Sequence, residues 1–432
     1  MNIQFTKPLF IWILQTGEPL HIDGGNARPM RAMNLSNTLK DAGHKVVLWS
    51  AQFNHQEKKH RGLTERNIKV SDSLEIRLIP SRGYQGNISF GRLIDHAQLA
   101  LNLKNMLNRE TSLPDVAFIG FPPIETAAVL TRWLSQRGVP SLLDVKDQWP
   151  SLFLESVPVL LRPLGSAVLW PYFYLARRAM SDATGISSMA NGFLDWALRF
   201  SKRTRSEVDV VFPLTSPLGQ VTSSQLEEAR LWWDERGIVD DGRPRVCFVG
   251  SHSPAFDFNP VKEAAKKVLQ GGNRCEFVLC GDGGSSAELR EMMKGLPNVH
   301  FPGWIDRPKI EALAERSHAA LAPYLNIENF TRNIPNKIVD ALSLGLPILS
   351  PLQGEVASLI DDYGVGFRYG TDTGKTLYDC IKVLMEDVAL QKKMSQNARS
   401  LYAGRFSFET VYGNLVKHLE KLASFSRNRD PH

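Results

Sequence analysis

Short apolar runs alternate along the chain with longer stretches whose apolar positions recur at helical spacing. That pattern predicts parallel sheets covered by helices. The runs of the first half are Leu9–Gln15, Lys45–Ala51, Leu74–Pro80, Asp115–Gly120, Ser141–Val145 and Asp182–Ser187, with a weaker one at Val208–Pro213. Helical segments lie between them, such as Arg31–Ala42, which Gly43 is suited to terminate. After the polar, turn-rich Asp240-Asp241-Gly242-Arg243-Pro244 the pattern restarts, with runs at Arg245–Gly250, Glu276–Gly281, Val299–Phe301, Ala319–Tyr324 and Pro347–Ser350. Two α/β units in succession imply two doubly wound domains facing each other, over residues 1–205 and 206–405. A last helix over 406–432 is expected to pack back toward the first domain. Open parallel sheets bind ligands at the carboxyl ends of their strands, so a cleft between two such domains is the expected active site.

Composition narrows this only a little. At 432 residues, 43% hydrophobic and 22% charged, each half has enough apolar chain for its own core. A net charge of +6 suggests anionic partners without choosing among them. The charge is dispersed and no nucleic-acid reading module is visible, so nucleic acid is not an expected partner. Cys247, Cys275, Cys280 and Cys380 form no CxxC pair and have no histidine at zinc spacing. They read as unpaired core thiols in a reducing, cytoplasmic compartment. Pro8–Leu14 reads as a first buried strand rather than a signal segment, and no stretch suits a spanning helix. Asp240-Asp241 and Asp361-Asp362 read as solvated turns, and neither a metal nor another cofactor is expected.

Three segments of the second half carry candidate chemistry. Glu276–Gly284 is a buried strand running into the glycine-rich turn Gly281-Asp282-Gly283-Gly284, with a helix from about Ser285. Its glycines allow close backbone approach and the helix start offers free N–H groups to phosphate, although a ligand-free turn accounts for the same residues. Asn298–Asp306 reads as a short strand leading into a loop, with His300 satisfied in or near the core. In Asn333–Pro347, Pro335 suits the first turn of a helix and Gly345 its end. Lys337 near that start suits a diphosphate, and Asp340 on a similar face suits the two hydroxyls of a ribose. Solvated helix charges are the other reading.

Together these segments resemble the retaining nucleotide-sugar glycosyltransferases of the GT-B fold, often called group 1 or family 4. The resemblance covers nearly the whole chain and includes Phe248-Val249-Gly250, Gly281-Asp282-Gly283, Gly303-Trp304-Ile305-Asp306 and the Pro335-to-Pro347 block, in the family's order. It implies an α/β chain of two facing Rossmann-like domains and a nucleotide-sugar donor bound mainly by the second. It also implies that Asp340, at the second acidic position of the family's Glu-x7-Glu pattern, binds the donor ribose. Gly250, Ser251 and Lys337 are implied to lie near the donor phosphates. The residue eight before Asp340 is Arg332 rather than an acid, and Ser251-His252-Ser253 replaces the usual basic residue after Gly250. Arg332 or Lys337 would then supply the positive charge that a departing diphosphate needs.

In the first half, His21–Arg28 with Gly24-Gly25 matches the family's glycine-containing loop between donor and acceptor. Ser141–Pro150 resembles the Arg/His-Asp-x-Trp-Pro stretch of relatives that build surface polysaccharides, which makes Lys146 and Asp147 the catalytic candidates. For Asp147 a helix N-cap is the alternative. Val157–Met180 mixes apolar and aromatic residues with Arg162, Arg177 and Arg178, as an interfacial helix on an anionic membrane would; helices packed on the first sheet with their arginines in water are the other reading. The basic cluster Lys202–Arg205 would favour the same surface, and Lys58–Arg61 reads equally as a contact for an acceptor diphosphate or as a solvated loop. The resulting expectation is a cytoplasmic or peripheral-membrane glycosyltransferase. It would pass sugar to a glycan or a polyprenyl-diphosphate-linked acceptor during polysaccharide synthesis. A catalytically degenerate binding subunit and a nucleotide-sugar epimerase stand beside it, because fold alone does not fix function.

Overall fold

The structure is a computed structural model, and it describes residues 7–24, 29–62, 66–86, 89–155, 158, 161–215, 217, 219–272, 274–370 and 372–427. The chain forms two compact units, one of residues 1–216 with 411–432, the other of residues 217–410.

The strands of the first unit are β1 (Phe10–Leu14), β2 (Lys45–Ala51), the short pair β3 (Phe53–Asn54) and β4 (Lys59–His60), β5 (Asn67–Ser71), β6 (Leu74–Ile79), β7 (Val116–Phe121), β8 (Ser141–Val145), β9 (Gly185–Ser188) and β10 (Val210–Val211). Eight of them form one sheet, ordered β10-β9-β8-β7-β1-β2-β6-β5, in which only the β5–β6 pairing is antiparallel. β7 and β8 are buried at every position, as strands covered by helices on both faces must be. Trp12 of β1 stacks on Trp133 at 5.7 Å and meets Trp49 of β2 edge-on at 5.3 Å, in the middle of the core. The helix Phe408–Arg427 returns to this unit: His44 Nε2 lies 3.1 Å from Glu420 Oε1, and Asn34 donates to the Tyr412 hydroxyl at 3.4 Å.

The second unit has β11 (Arg245–Val249), β12 (Glu276–Cys280), β13 (Val299–Gly303), β14 (Ala319–Leu321), β15 (Ile348–Ser350) and β16 (Gly366–Arg368) in one parallel sheet, ordered β13-β12-β11-β14-β15-β16. The direction of winding reverses beside β1 in the first sheet and beside β11 in the second. Such switch points open a crevice beyond the strand ends. All four cysteines are buried and unpaired, and burial pushes the Cys247 thiol up to about 11.

Several expectations are corrected. The run at Asp182 does not begin a strand; the helix Trp170–Asp182 keeps its apolar stripe of Ala176, Ala179 and Met180 in the core, and β9 starts at Gly185. β5 and β16 carried no strong apolar run, β5 being a largely exposed edge. Pro335 is the residue before the helix Asn336–Leu344 rather than its first turn, and Gly345 ends that helix in a left-handed conformation. Arg203 does not face outward with its cluster: its guanidinium donates to Met180 O and Ala183 O at 2.7 Å and to Thr184 O at 3.0 Å. Phe193, Leu194, Ala197 and Leu198 likewise turn inward from the helix Asn191–Ser201. The 157–180 stretch, where described, holds two helices, Arg162–Val168 and Trp170–Asp182. Among the described residues no helix is long and apolar enough to cross a membrane.

Candidate functional site

In the second unit the ends of three adjacent strands are tied together. Gly250 N–H donates to Cys280 O at 3.0 Å and Gly281 N–H to Gly303 O at 2.8 Å. Both glycines have positive φ, +152° and +130°. A Cβ on Gly281 would lie 1.8 Å from Gly250 O, which closes that position to a side chain, and one on Gly250 would lie 1.3 Å from the Lys337 ammonium, which would have to move. Beyond them His252 N–H donates to Asp282 O at 3.1 Å. The Asp282 carboxylate accepts from Ser286 Oγ at 2.6 Å and from Gly283 N–H at 2.8 Å, which holds its pKa below the ordinary value. It shapes the turn that opens the helix Ser286–Met292. Ser251 is exposed, whereas His252 is fully buried with Nδ1 3.0 Å from Ser286 Oγ and Nε2 unpartnered. Burial lowers the His252 pKa, which disfavours the charged form of the ring inside the loop.

A cation does reach this turn, Lys337. The start of the helix Asn336–Leu344 carries it onto Gly250, where Nζ donates to Val249 O and lies 4.8 Å and 5.5 Å over the rings of Phe248 and Phe256. Burial lowers its pKa to about 8, while the charge of Asp340, exposed one turn on, works in the opposite direction. Arg332 is half-buried in the turn between the helix Glu328–Thr331 and Asn336. The structure thus brings Gly250, Gly281, Asp282, Gly283 and Lys337 together at the carboxyl ends of β11 and β12, with Ser251 and Asp340 exposed. Trp304, which is 75% exposed, directly follows the Gly303 carbonyl that anchors Gly281.

In the first unit the loop after β1 carries Glu18, whose buried carboxylate accepts from Ala32 N–H at 2.8 Å and pairs with Lys146 beyond β8. Within β8, Asp144 is fully buried against Arg31 Nε at 2.9 Å and Ser187 Oγ at 2.8 Å. Arg31 also donates to Phe212 O at 2.6 Å and Pro213 O at 3.2 Å. Asp147 is half-buried; burial raises its pKa against the lowering effects of the Gln148 N–H and Arg92. Asp23 is clamped by Arg61 at 2.6 and 2.7 Å, so one member of the Lys58–Arg61 cluster is committed to holding the 20–24 loop. A Cβ on Gly24 would meet nothing within 4 Å, and Gly25 lies outside the described residues.

A cavity of about 230 Å³ in this unit is lined by Glu18, His55, Tyr84, Arg92, His96 and Lys146, among others. His96 has Nδ1 3.7 Å from a Glu125 carboxylate oxygen and Nε2 3.5 Å from Arg92 Nε. Burial drives the His96 pKa down to about 4 and the Glu125 pKa up to about 7. Arg92 and His96 escaped the sequence reading because they sit on the helix Phe90–Leu107 with no local signature, whereas Glu125 follows the carboxyl end of the buried β7. Glu18 could have been found, since it closely follows a buried strand at its carboxyl end.

Two doubly wound units, each built on a wholly or mostly parallel sheet, fit the GT-B architecture. Residues 243–387 match the family described as Glycosyl transferases group 1. An α-D-kanosaminyltransferase of Streptomyces kanamyceticus is 25% identical over 297 residues, 67% of this chain and 73% of that one. Among solved structures, sucrose-phosphate synthase from Thermosynechococcus elongatus superposes with a TM-score of 0.65 at 13% identity, over 96% of this chain and 100% of that one. HepE from Anabaena, solved with UDP-glucose, gives 0.57 at 15% identity, over 96% and 100% of the two chains. WaaG, a glycosyltransferase involved in lipopolysaccharide biosynthesis, gives 0.55 at 13% identity, over 95% and 99%. Residues 243–387 thus carry a group 1 glycosyltransferase domain, and the chain as a whole has the GT-B fold.

Proposed function

We propose that this glycosyltransferase takes its sugar from a nucleotide-sugar donor held by the second unit. It would pass that sugar, with retention of anomeric configuration, to a glycan or polyprenyl-diphosphate-linked acceptor held by the first. The observation that carries the donor site is the Lys337 ammonium resting on Gly250, where the backbone is bare and the charge is partly desolvated. A diphosphate on this loop would meet Lys337 and the backbone of the Gly250 and Gly281 turns. Asp340 would take the ribose hydroxyls, and Arg332 would add positive charge. The developing charge on the leaving diphosphate is then stabilised by groups already in place, without a metal ion. On the acceptor side Asp147 would contact the transferred sugar or the incoming hydroxyl, with Lys146 beside it held by Glu18. Gly24 and Gly25 would leave the backbone open to a sugar. The reading extends to surface-polysaccharide synthesis at the inner face of a membrane. The involvement of WaaG in lipopolysaccharide biosynthesis and the UDP-glucose held by HepE support it.

A panel of nucleoside diphosphates and nucleotide sugars, scored by thermal stabilisation and then by transfer to lipid-linked and free glycan acceptors, tests this. Stabilisation by no nucleotide would overturn the donor site. Tight donor binding without transfer or donor hydrolysis would indicate a catalytically silent binding subunit, and donor conversion without acceptor would indicate an epimerase.

A further inference from the structure

In the first unit a second concavity of about 600 Å³ opens beside the polar cavity, within the size of about 300–1,000 Å³ common for small-molecule sites. Its walls are apolar: Phe90 and Leu93 from one helix, Leu164, Val168, Leu169 and Tyr172 from the segment opposite. Phe90 is 85% exposed, Leu164 67% and Val168 71%, so these side chains do not serve the core. Arg92 lines both concavities, its guanidinium 4.7 Å over the Trp149 ring on the apolar side and 5.6 Å over Tyr84 on the polar side. Lys58 Nζ lies 4.7 Å over the same Tyr84 ring. One wall is therefore oily, the other polar, and a cation stands at the boundary.

Resting on the glycosyl-transfer reading above, we infer that the apolar groove holds the isoprenoid chain of a prenyl-diphosphate-linked acceptor. Its diphosphate lies at Arg92 and its sugar in the polar cavity beside Lys146 and His96. A soluble glycan would leave the groove without an occupant and would need no cation at its inner end. A flat contact with a bilayer would need exposed apolar side chains but no concavity ending at Arg92. An amphiphile with its anion at the junction satisfies all three features, because burial of chain methylenes gives affinity and the charge fixes the register. The exposed positions also make the claim separable from folding, since polar replacements there disturb no core contact.

The test uses the full chain titrated with farnesyl diphosphate, farnesol and inorganic diphosphate, by calorimetry and Trp149 fluorescence. Farnesyl diphosphate should bind more tightly than inorganic diphosphate. The double variant Leu164→Gln/Val168→Gln should weaken farnesyl diphosphate about tenfold or more and leave inorganic diphosphate unchanged. Arg92→Gln should weaken both anions and spare farnesol. Equal affinity for farnesyl and inorganic diphosphate, or an unaffected double variant, overturns the inference. So does binding to vesicles of anionic lipid with no saturable binding of monomeric farnesyl diphosphate, which would make the face a membrane contact. Nucleoside diphosphate binding is read on the same samples. If it persists while the prenyl arm fails, only this inference falls; if both fail, the glycosyl-transfer reading falls with it.

Discussion

Replacing Lys337 by methionine should separate binding from stability. Burial lowers this ammonium from 10.5 to about 8, and at about 1.4 kcal/mol per unit the folded chain carries the charge at a cost on the order of 3 kcal/mol. The hydrogen bond to Val249 O and the ring contacts return roughly 1–2 kcal/mol of that. The sign follows from proton counts. Between about 8 and 10.5 the unfolded chain holds a proton that the folded chain has lost, so stability rises with pH across that window. Below about 8 both states are charged and the slope vanishes. Lys337→Met removes the slope and at neutral pH should leave stability unchanged or raised by roughly 1–2 kcal/mol. Nucleotide affinity should move the other way. A charge-assisted hydrogen bond to phosphate contributes about 1.5–3 kcal/mol, so the Kd for the best nucleoside diphosphate should rise about 10- to 150-fold. In the wild-type protein the same affinity should fall by up to about tenfold per pH unit above about pH 8 as Lys337 deprotonates, a dependence absent from the variant. Calorimetric titrations at several pH values, with thermal unfolding of the same samples, measure both quantities. A Lys337→Met protein that binds nucleotide as well as wild type, or one that loses stability along with affinity, refutes the reasoning.

Asp340 is exposed, so Asp340→Ala should leave stability within about 0.5 kcal/mol of wild type while weakening ribose-containing ligands roughly 5- to 30-fold. Titration with inorganic diphosphate, which lacks the ribose, should show no difference. Arg31→Met should destabilise the first unit by about 3–5 kcal/mol, because it strands the fully buried Asp144 carboxylate; urea midpoints measure this. Glu125, raised from 4.5 to about 7, holds a proton in the folded state that the unfolded chain has lost, so its contribution to stability is full below 4.5 and lost as pH rises through about 7. Glu125→Gln should therefore gain stability over wild type as pH rises across that window. His96 faces Glu125 and, with its pKa lowered to about 4, carries the opposite slope, so the signal is the difference between variant and wild type.

How much of this was legible in the sequence depended on distance along the chain. The central parallel strands were visible because burial on both faces leaves a continuous apolar run, and β7 and β8 show that burial at every position. The edge strand β5 was not, since one neighbour and a wet face impose no such run. Gly250, Gly281 and the helix carrying Lys337 and Asp340 were readable as turn and cap signals, which are local. What Lys337 does was not readable, because it comes from convergence: its ammonium reaches a carbonyl 88 residues away and rests on two rings from other segments. The same limit hid the first unit's polar cavity, where Arg92 and His96 come from one helix, Glu18 from the loop after β1 and Lys146 from beyond β8. It also misassigned the basic clusters. Arginines close together in sequence suggested one outward patch, yet Arg203 donates to three backbone carbonyls and Arg61 to the Asp23 carboxylate. A guanidinium has several donors in a fixed fork, so it satisfies scattered loop carbonyls better than any other side chain. Arginine density alone therefore says little about an anionic partner until each donor has been followed to its acceptor. Arg92, by contrast, stands between an oily wall and a polar one.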